Sequence, residues 1–104
     1  MIEKQYILIT STGFARLGTT LVCISNKYLS KLVVEYKGIT VELDYTLESI
    51  MDIMSMEIRP GDLFQIRSVG IDEVQTLQSI EDQLSKMNLI NSQDVNIFKK
   101  SEVD

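Results

Sequence analysis

The stretch KLVVEYKGITVEL, residues 31–43, decides the fold. Leu32, Val34 and Tyr36 recur at every second position up to Lys37-Gly38, and Ile39, Val41 and Leu43 continue the alternation on the return. A period of two is that of a strand whose two sides meet different surroundings. Two such runs joined by two residues read as a β-hairpin. Gly38 supplies the positive φ that a primed turn requires, although lysine is not the favoured first residue.

Reading outward from the hairpin gives the rest of the order. On the N-terminal side, YILIT (6–10) is a short buried strand ended by Ser11-Thr12-Gly13. From about Arg16, the residues Leu17, Leu21, Ile24 and Tyr28 fall at helical spacing. On the C-terminal side, Leu47, Ile50, Met51 and Met54 of LESIMDIMSM lie at i, i+3, i+4 and i+7, which predicts a short second helix. Arg59-Pro60-Gly61-Asp62 is turn chemistry, and LFQIRSV (63–69) is the next strand. After Gly70, Asp72 is placed to cap a third helix with an apolar stripe of Val74, Leu77, Ile80, Leu84 and Met87. The order β-α-β-β-α-β-α predicts an α+β, two-layer open-faced sandwich: a four-stranded antiparallel sheet with three helices on one face. Residues 1–90 form the expected domain and 91–104 a mostly polar C-terminal extension whose sizeable apolar residues are Val95, Ile97 and Phe98.

Composition limits the function classes. With 104 residues, 44% of them hydrophobic and 24% charged, the chain is expected to be one independently folding domain. A formal net charge of -5 argues against a phosphate-backbone binder, so nucleic acid is not an expected direct partner. No apolar run is long enough to cross a bilayer, and MIEKQYILIT is too short and too acidic for a secretory signal, so a cytoplasmic location is expected. Cys23 is the single cysteine, without an internal disulfide partner or metal-ligand spacing around it. The chain contains no histidine, which removes the commonest general base, the commonest metal ligand and the phosphoryl-accepting imidazole together. With no nucleophile and base pair, phosphate-cradling loop or metal cluster visible, neither catalysis nor a cofactor is expected.

Two places where loops enter helices carry chemistry. In the Gly13–Gly18 segment, the free N–H groups of a helix start and the Arg16 guanidinium together would suit an anion such as phosphate. The alternative is a turn glycine followed by a solvent-exposed arginine. At the second place, Ser49 and Asp52 match a capping box. Ser49 reads either as a plain helix cap or as a phosphoryl acceptor, because a dianion there would be favoured by the helix dipole.

TGFARLGTTLV, KY at 27–28, VEYKG at 34–38 and ESIMDIMSM at 48–56 resemble the HPr family, the histidine-containing phosphocarriers of the sugar phosphotransferase system, over about residues 2–90. That resemblance implies the same open-faced sandwich. In the family, a loop histidine takes phosphate from phosphoenolpyruvate through Enzyme I and passes it to sugar permeases. Here Gly13, Phe14, Ala15 and Arg16 keep the frame, the histidine position is deleted, and Leu17 stands where proline is usual. Thr19, Thr20 and Cys23 are nearby, but a threonine phosphoester does not transfer as a phosphoramidate does, and Cys23 lies inside the predicted helix.

Ser49 matches the serine that, in HPr and the histidine-lacking relative Crh, is phosphorylated by an ATP-dependent HPr kinase to give the corepressor of a LacI-type catabolite control repressor. Ile50, Met51 and Met54 match the apolar patch that family partners grip, and Arg16 resembles the family residue that neighbours both phosphorylation sites, which implies a role toward the phosphoserine or a partner's acid; the other reading of the methionines is that they fill the core. Glu48 replaces a usually basic residue, Asp52 a usual glycine, and Asp44 to Leu47 is an insertion. The expectation is therefore an HPr-like regulatory protein of carbon catabolite repression, switched at Ser49 and not competent for histidine phosphotransfer, with HPr kinase and the repressor as partners and homo-oligomerisation compatible. Two alternatives stand: an HPr-fold scaffold without phosphorylation, and a phosphocarrier with an unexpected acceptor.

Overall fold

The computed structural model describes residues 1–10, 14–44 and 46–92. The elements run β1 (Ile2–Leu8), α1 (Phe14–Lys27), β2 (Lys31–Tyr36), β3 (Ile39–Glu42), α2 (Leu47–Ser55), β4 (Leu63–Val69), α3 (Glu73–Lys86) and β5 (Ile90–Ser92). The strands form one antiparallel sheet in the order β3-β2-β4-β1-β5. Four strands and three helices follow the predicted order, and a short fifth strand is added at the edge. Its pairing of Leu8 with Ile90 and Tyr6 with Ser92 carries the sheet past residue 90. Val95, Ile97 and Phe98 lie outside the described residues.

The hairpin turn is of the primed kind: Lys37 has φ 50° and Gly38 φ 80°. β1 starts and ends earlier than YILIT implies, because Ile2 to Ile7 pair with Ser68 to Leu63 of β4 while the polar residues Glu3 and Gln5 face away from the helices. The helix-side face of the sheet carries Tyr6, Leu8, Leu32, Val34, Phe64 and Ile66, all buried. Against them pack Leu17, Leu21 and Ile24 of α1, Ile53 of α2, and Leu77, Ile80 and Leu84 of α3. These side chains form the single core whose removal from water drives folding. The opposite face is open and mixed, with Leu63 and Val69 exposed among polar residues, and Arg67 of β4 reaches across it to Glu3 of β1 at 3.0 Å and to Glu35 of β2.

α2 departs most from its sequence reading. The stripe Leu47, Ile50, Met51 and Met54 does not point inward: Leu47, Met51 and Met54 are 72%, 60% and 43% exposed, and only Ile50 packs partly against the core. Ser49 and Ile53 are the buried residues of the helix, with Met56 buried just beyond it. The core-filling reading of Met51 and Met54 is thereby corrected, since five apolar residues among nine leave the helical period without a unique inward side.

The capping assignments also change. The N-cap of α2 is Thr46, not Ser49, and the Thr46 side chain accepts the Ser49 N–H at 3.2 Å. Asp72 does occupy the N-cap position of α3, but its carboxylate makes no cap bond. Instead it accepts the Leu29 N–H at 2.9 Å and the Ser30 hydroxyl, tying the α1–β2 loop to the start of α3. No helix among the described residues is long and apolar enough to cross a membrane.

Candidate functional site

The two helix starts singled out in the sequence converge on one surface because α1 and α2 cross closely. Gly18 is buried at the crossing, and a Cβ there would sit 3.6 Å from Ile50 Cγ2 and 3.8 Å from the Ile50 carbonyl oxygen. Those are ordinary van der Waals distances, so the helices meet here with room for one Cβ. Beside this crossing runs a groove of about 270 Å³ lined by Thr19, Val22 and Cys23 of α1 and by Thr46, Leu47 and Ile50 around the start of α2. Its lining is mostly apolar, and the exposed Leu47, Met51 and Met54 extend it along α2.

Arg16 lies in the first turn of α1 and is exposed. No side-chain hydrogen bond or ion pair of Arg16 is found among the described residues; only its carbonyl is engaged, accepting the Thr19 hydroxyl at 3.2 Å. Ala15 is also exposed. Of the loop expected before α1, residues 11–13 lie outside the description. The anion-site reading of that loop therefore rests on Arg16 and the helix start alone.

Ser49 is not the N-cap that its match with Asp52 predicts. It is the third residue of α2, 4% exposed, and its Oγ accepts the Asp44 N–H at 2.9 Å while the Thr46 hydroxyl lies at 3.4 Å. Thr46 and Ser49 thus share the capping work, one serving the helix N–H and the other the N–H of the entering chain. The sequence signal for Thr46 was present as a threonine just before the apolar run. It was masked by the better formal match of Ser49 with Asp52.

The site's charge is uneven. Glu48 and Asp52, four residues apart on α2, are exposed, and no ion pair engages either among the described residues. Cys23 is exposed at the groove. No group of three or more metal-ligating side chains occurs among the described residues. What the α2 side offers is therefore adhesion: an apolar strip and groove, bordered by Glu48 and Asp52 with no ion-pair partner among the described residues.

Residues 2–86 match the family described as the PTS HPr component phosphorylation site. Among solved structures, the chain is similar to the histidine-containing phosphocarrier protein of Mycoplasma, with 25% identity, 86% of this chain aligned to 99% of that one, and a TM-score of 0.74. It is similar to HPr-C-His from Thermoanaerobacter tengcongensis at 25% identity, covering 83% of this chain and 93% of that one, with a TM-score of 0.69. The phosphocarrier protein HPr from Bacillus anthracis str. Ames shares the fold at 24% identity, 77% and 94% coverage and a TM-score of 0.58.

Proposed function

The chain belongs to the HPr family of the phosphotransferase system, and on that premise we propose that it acts as a regulatory docking protein of the system, Crh-like, in place of a histidine phosphocarrier. The reading is supported by a missing acceptor together with an exposed apolar strip on α2. The 104 residues contain no histidine, while Ile50 meets Gly18 of α1 at the helix crossing and Leu47, Met51 and Met54 of α2 are exposed. A carrier needs a nucleophile that both takes and releases a phosphoryl group, whereas a regulator needs only a surface and a switch. The expected partners are an HPr kinase and a LacI-type catabolite control repressor in the cytoplasm.

Ser49 is the proposed switch. A phosphate there would lie in the first turn of α2, where the helix dipole and N–H donors favour negative charge, although Glu48 and Asp52 oppose it. Its hydroxyl accepts the Asp44 N–H, and the residue is 4% exposed, so a kinase would have to meet it with the turn opened. The same burial favours a second reading, in which the chain is an HPr-fold scaffold that binds its partner without any phosphorylation.

The deciding measurement is intact-protein mass after incubation with HPr kinase and ATP, run beside Ser49→Ala and beside phosphoenolpyruvate with Enzyme I. The expected result is one phosphate from ATP, absent in Ser49→Ala, and none from phosphoenolpyruvate. No phosphate from either donor, under conditions that modify an ordinary HPr, overturns the switch and leaves the scaffold. A label from phosphoenolpyruvate would overturn both readings and make the chain a carrier with an unexpected acceptor.

A further inference from the structure

Some acids of this molecule have a cationic partner and others, Glu57 and Asp82 among them, have none among the described residues. On the open face of the sheet, acids are neutralised internally: Glu3 and Glu35 by Arg67, and Glu42 by Lys31. Between α3 and β1, Glu81 pairs with Lys4. On α2 the acids Glu48 and Asp52 have no such partner among the described residues, and they flank one side of the strip Leu47, Met51 and Met54. A one-sided acidic border on an exposed apolar helix face leaves a field that a complementary surface would satisfy, and the chain's net charge of -5 has the same sign.

Resting on the docking reading above, we propose that the α1–α2 face takes a protein surface with an aliphatic or aromatic centre and lysines or arginines along one rim. The centre would seat on Leu47, Met51 and Met54 and enter the groove between Val22 and Ile50. The basic rim would lie over Glu48 and Asp52. Methionines suit this work because their unbranched, polarisable side chains repack around differently shaped partners. The acidic rim supplies selection and steering, since exposed charge pairs contribute little to affinity individually but discourage like-charged partners.

Two synthetic amphipathic helical peptides test the proposal. Both carry one leucine and phenylalanine face; in the first, lysines flank that face, and in the second, glutamates replace the lysines. Each is titrated into the 15N-labelled full chain at low and at physiological salt. The lysine peptide is expected to shift the amides of residues 47–55 and 19–23 and to bind roughly tenfold more tightly than the glutamate peptide, with the gap narrowing as salt rises. The double variant Glu48→Lys/Asp52→Lys should reverse that preference, and Glu48→Gln/Asp52→Asn should abolish it; circular dichroism checks that both remain folded. Equal binding of the two peptides at this face would overturn the charge proposal and leave the docking reading intact. Shifts confined to other surfaces, or none with either peptide, would overturn both.

Discussion

The two ends of α1 are built on opposite plans. Just past its C-terminal end, the loop is latched to the fold by polar groups: Asp72 accepts the Leu29 N–H and the Ser30 hydroxyl, and Glu73 accepts the Gly70 N–H at 3.1 Å. The Ser30 hydroxyl, followed by the Leu29 N–H, holds the Asp72 carboxyl below its ordinary range, and the Gly70 N–H does the same for Glu73. Toward the N-terminal end, Arg16, Glu48 and Asp52 have no side-chain partners among the described residues, and Leu47, Met51 and Met54 face solvent. Polar groups that satisfy one another hold a fold together. Groups left unsatisfied beside an apolar strip are what a partner can use.

The strongest way to break the latched end is Gly70→Ala. Gly70 has φ 154°, and a Cβ there would fall 2.7 Å from Ser30 Cα, backbone that cannot yield without parting the two loops. The expected loss is about 3 kcal/mol of unfolding free energy in urea titration, from combined strain and overlap. A loss below about 1 kcal/mol would mean that the loops are not held as tightly as the contrast requires.

Asp72→Asn sharpens the same end through pH. A carboxyl whose folded pKa is depressed contributes stability that is present above its unfolded pKa and lost as pH falls through the folded one. The parent should therefore lose stability across the acid limb, and the variant should start lower at neutral pH and show a flatter limb. Urea titrations at stepped pH check this; parallel curves would remove Asp72 from the latch.

At the other end the effects shrink. Thr46→Ala removes the acceptor of the Ser49 N–H and should lower stability by about 1 kcal/mol, read by thermal or urea unfolding, with the loss concentrated in the first turn of α2. Met51→Ser, at a residue 60% exposed, should change stability by less than about 0.5 kcal/mol while weakening the lysine-peptide titration severalfold. A substantial stability loss at Met51 would mean that this side of α2 serves the fold after all.

The sequence was most legible where local pattern and tertiary environment agree. β4 appears over the predicted residues 63–69, and the Lys37-Gly38 turn has the predicted handedness because both depend on neighbours in the chain. α2 was legible as a helix but not in its orientation. Leu47, Ile50, Met51 and Met54 satisfy the helical period as well as the buried pair Ser49 and Ile53 do, and tertiary packing against α1 and β3 selects between them. β5 was missed because Leu89-Ile90 is too short an apolar run to signal a strand without β1 beside it. The role of Asp72 was missed because its partners, Leu29 and Ser30, lie more than forty positions away. The surface around Arg16 and α2 was approached through a family likeness, since no local rule distinguishes an apolar strip turned outward from one turned inward.

The bond between the Asp44 N–H and Ser49 Oγ links two rates. The amide of Asp44 exchanges its hydrogen with water when that bond opens, and the same opening would free the Ser49 oxygen to act as the nucleophile in the proposed phosphorylation. Exchange at Asp44 would therefore act as a clock for access to Ser49. If Ser49 is the switch proposed above, substitutions that loosen the start of α2 should speed exchange at Asp44 and modification of Ser49 together.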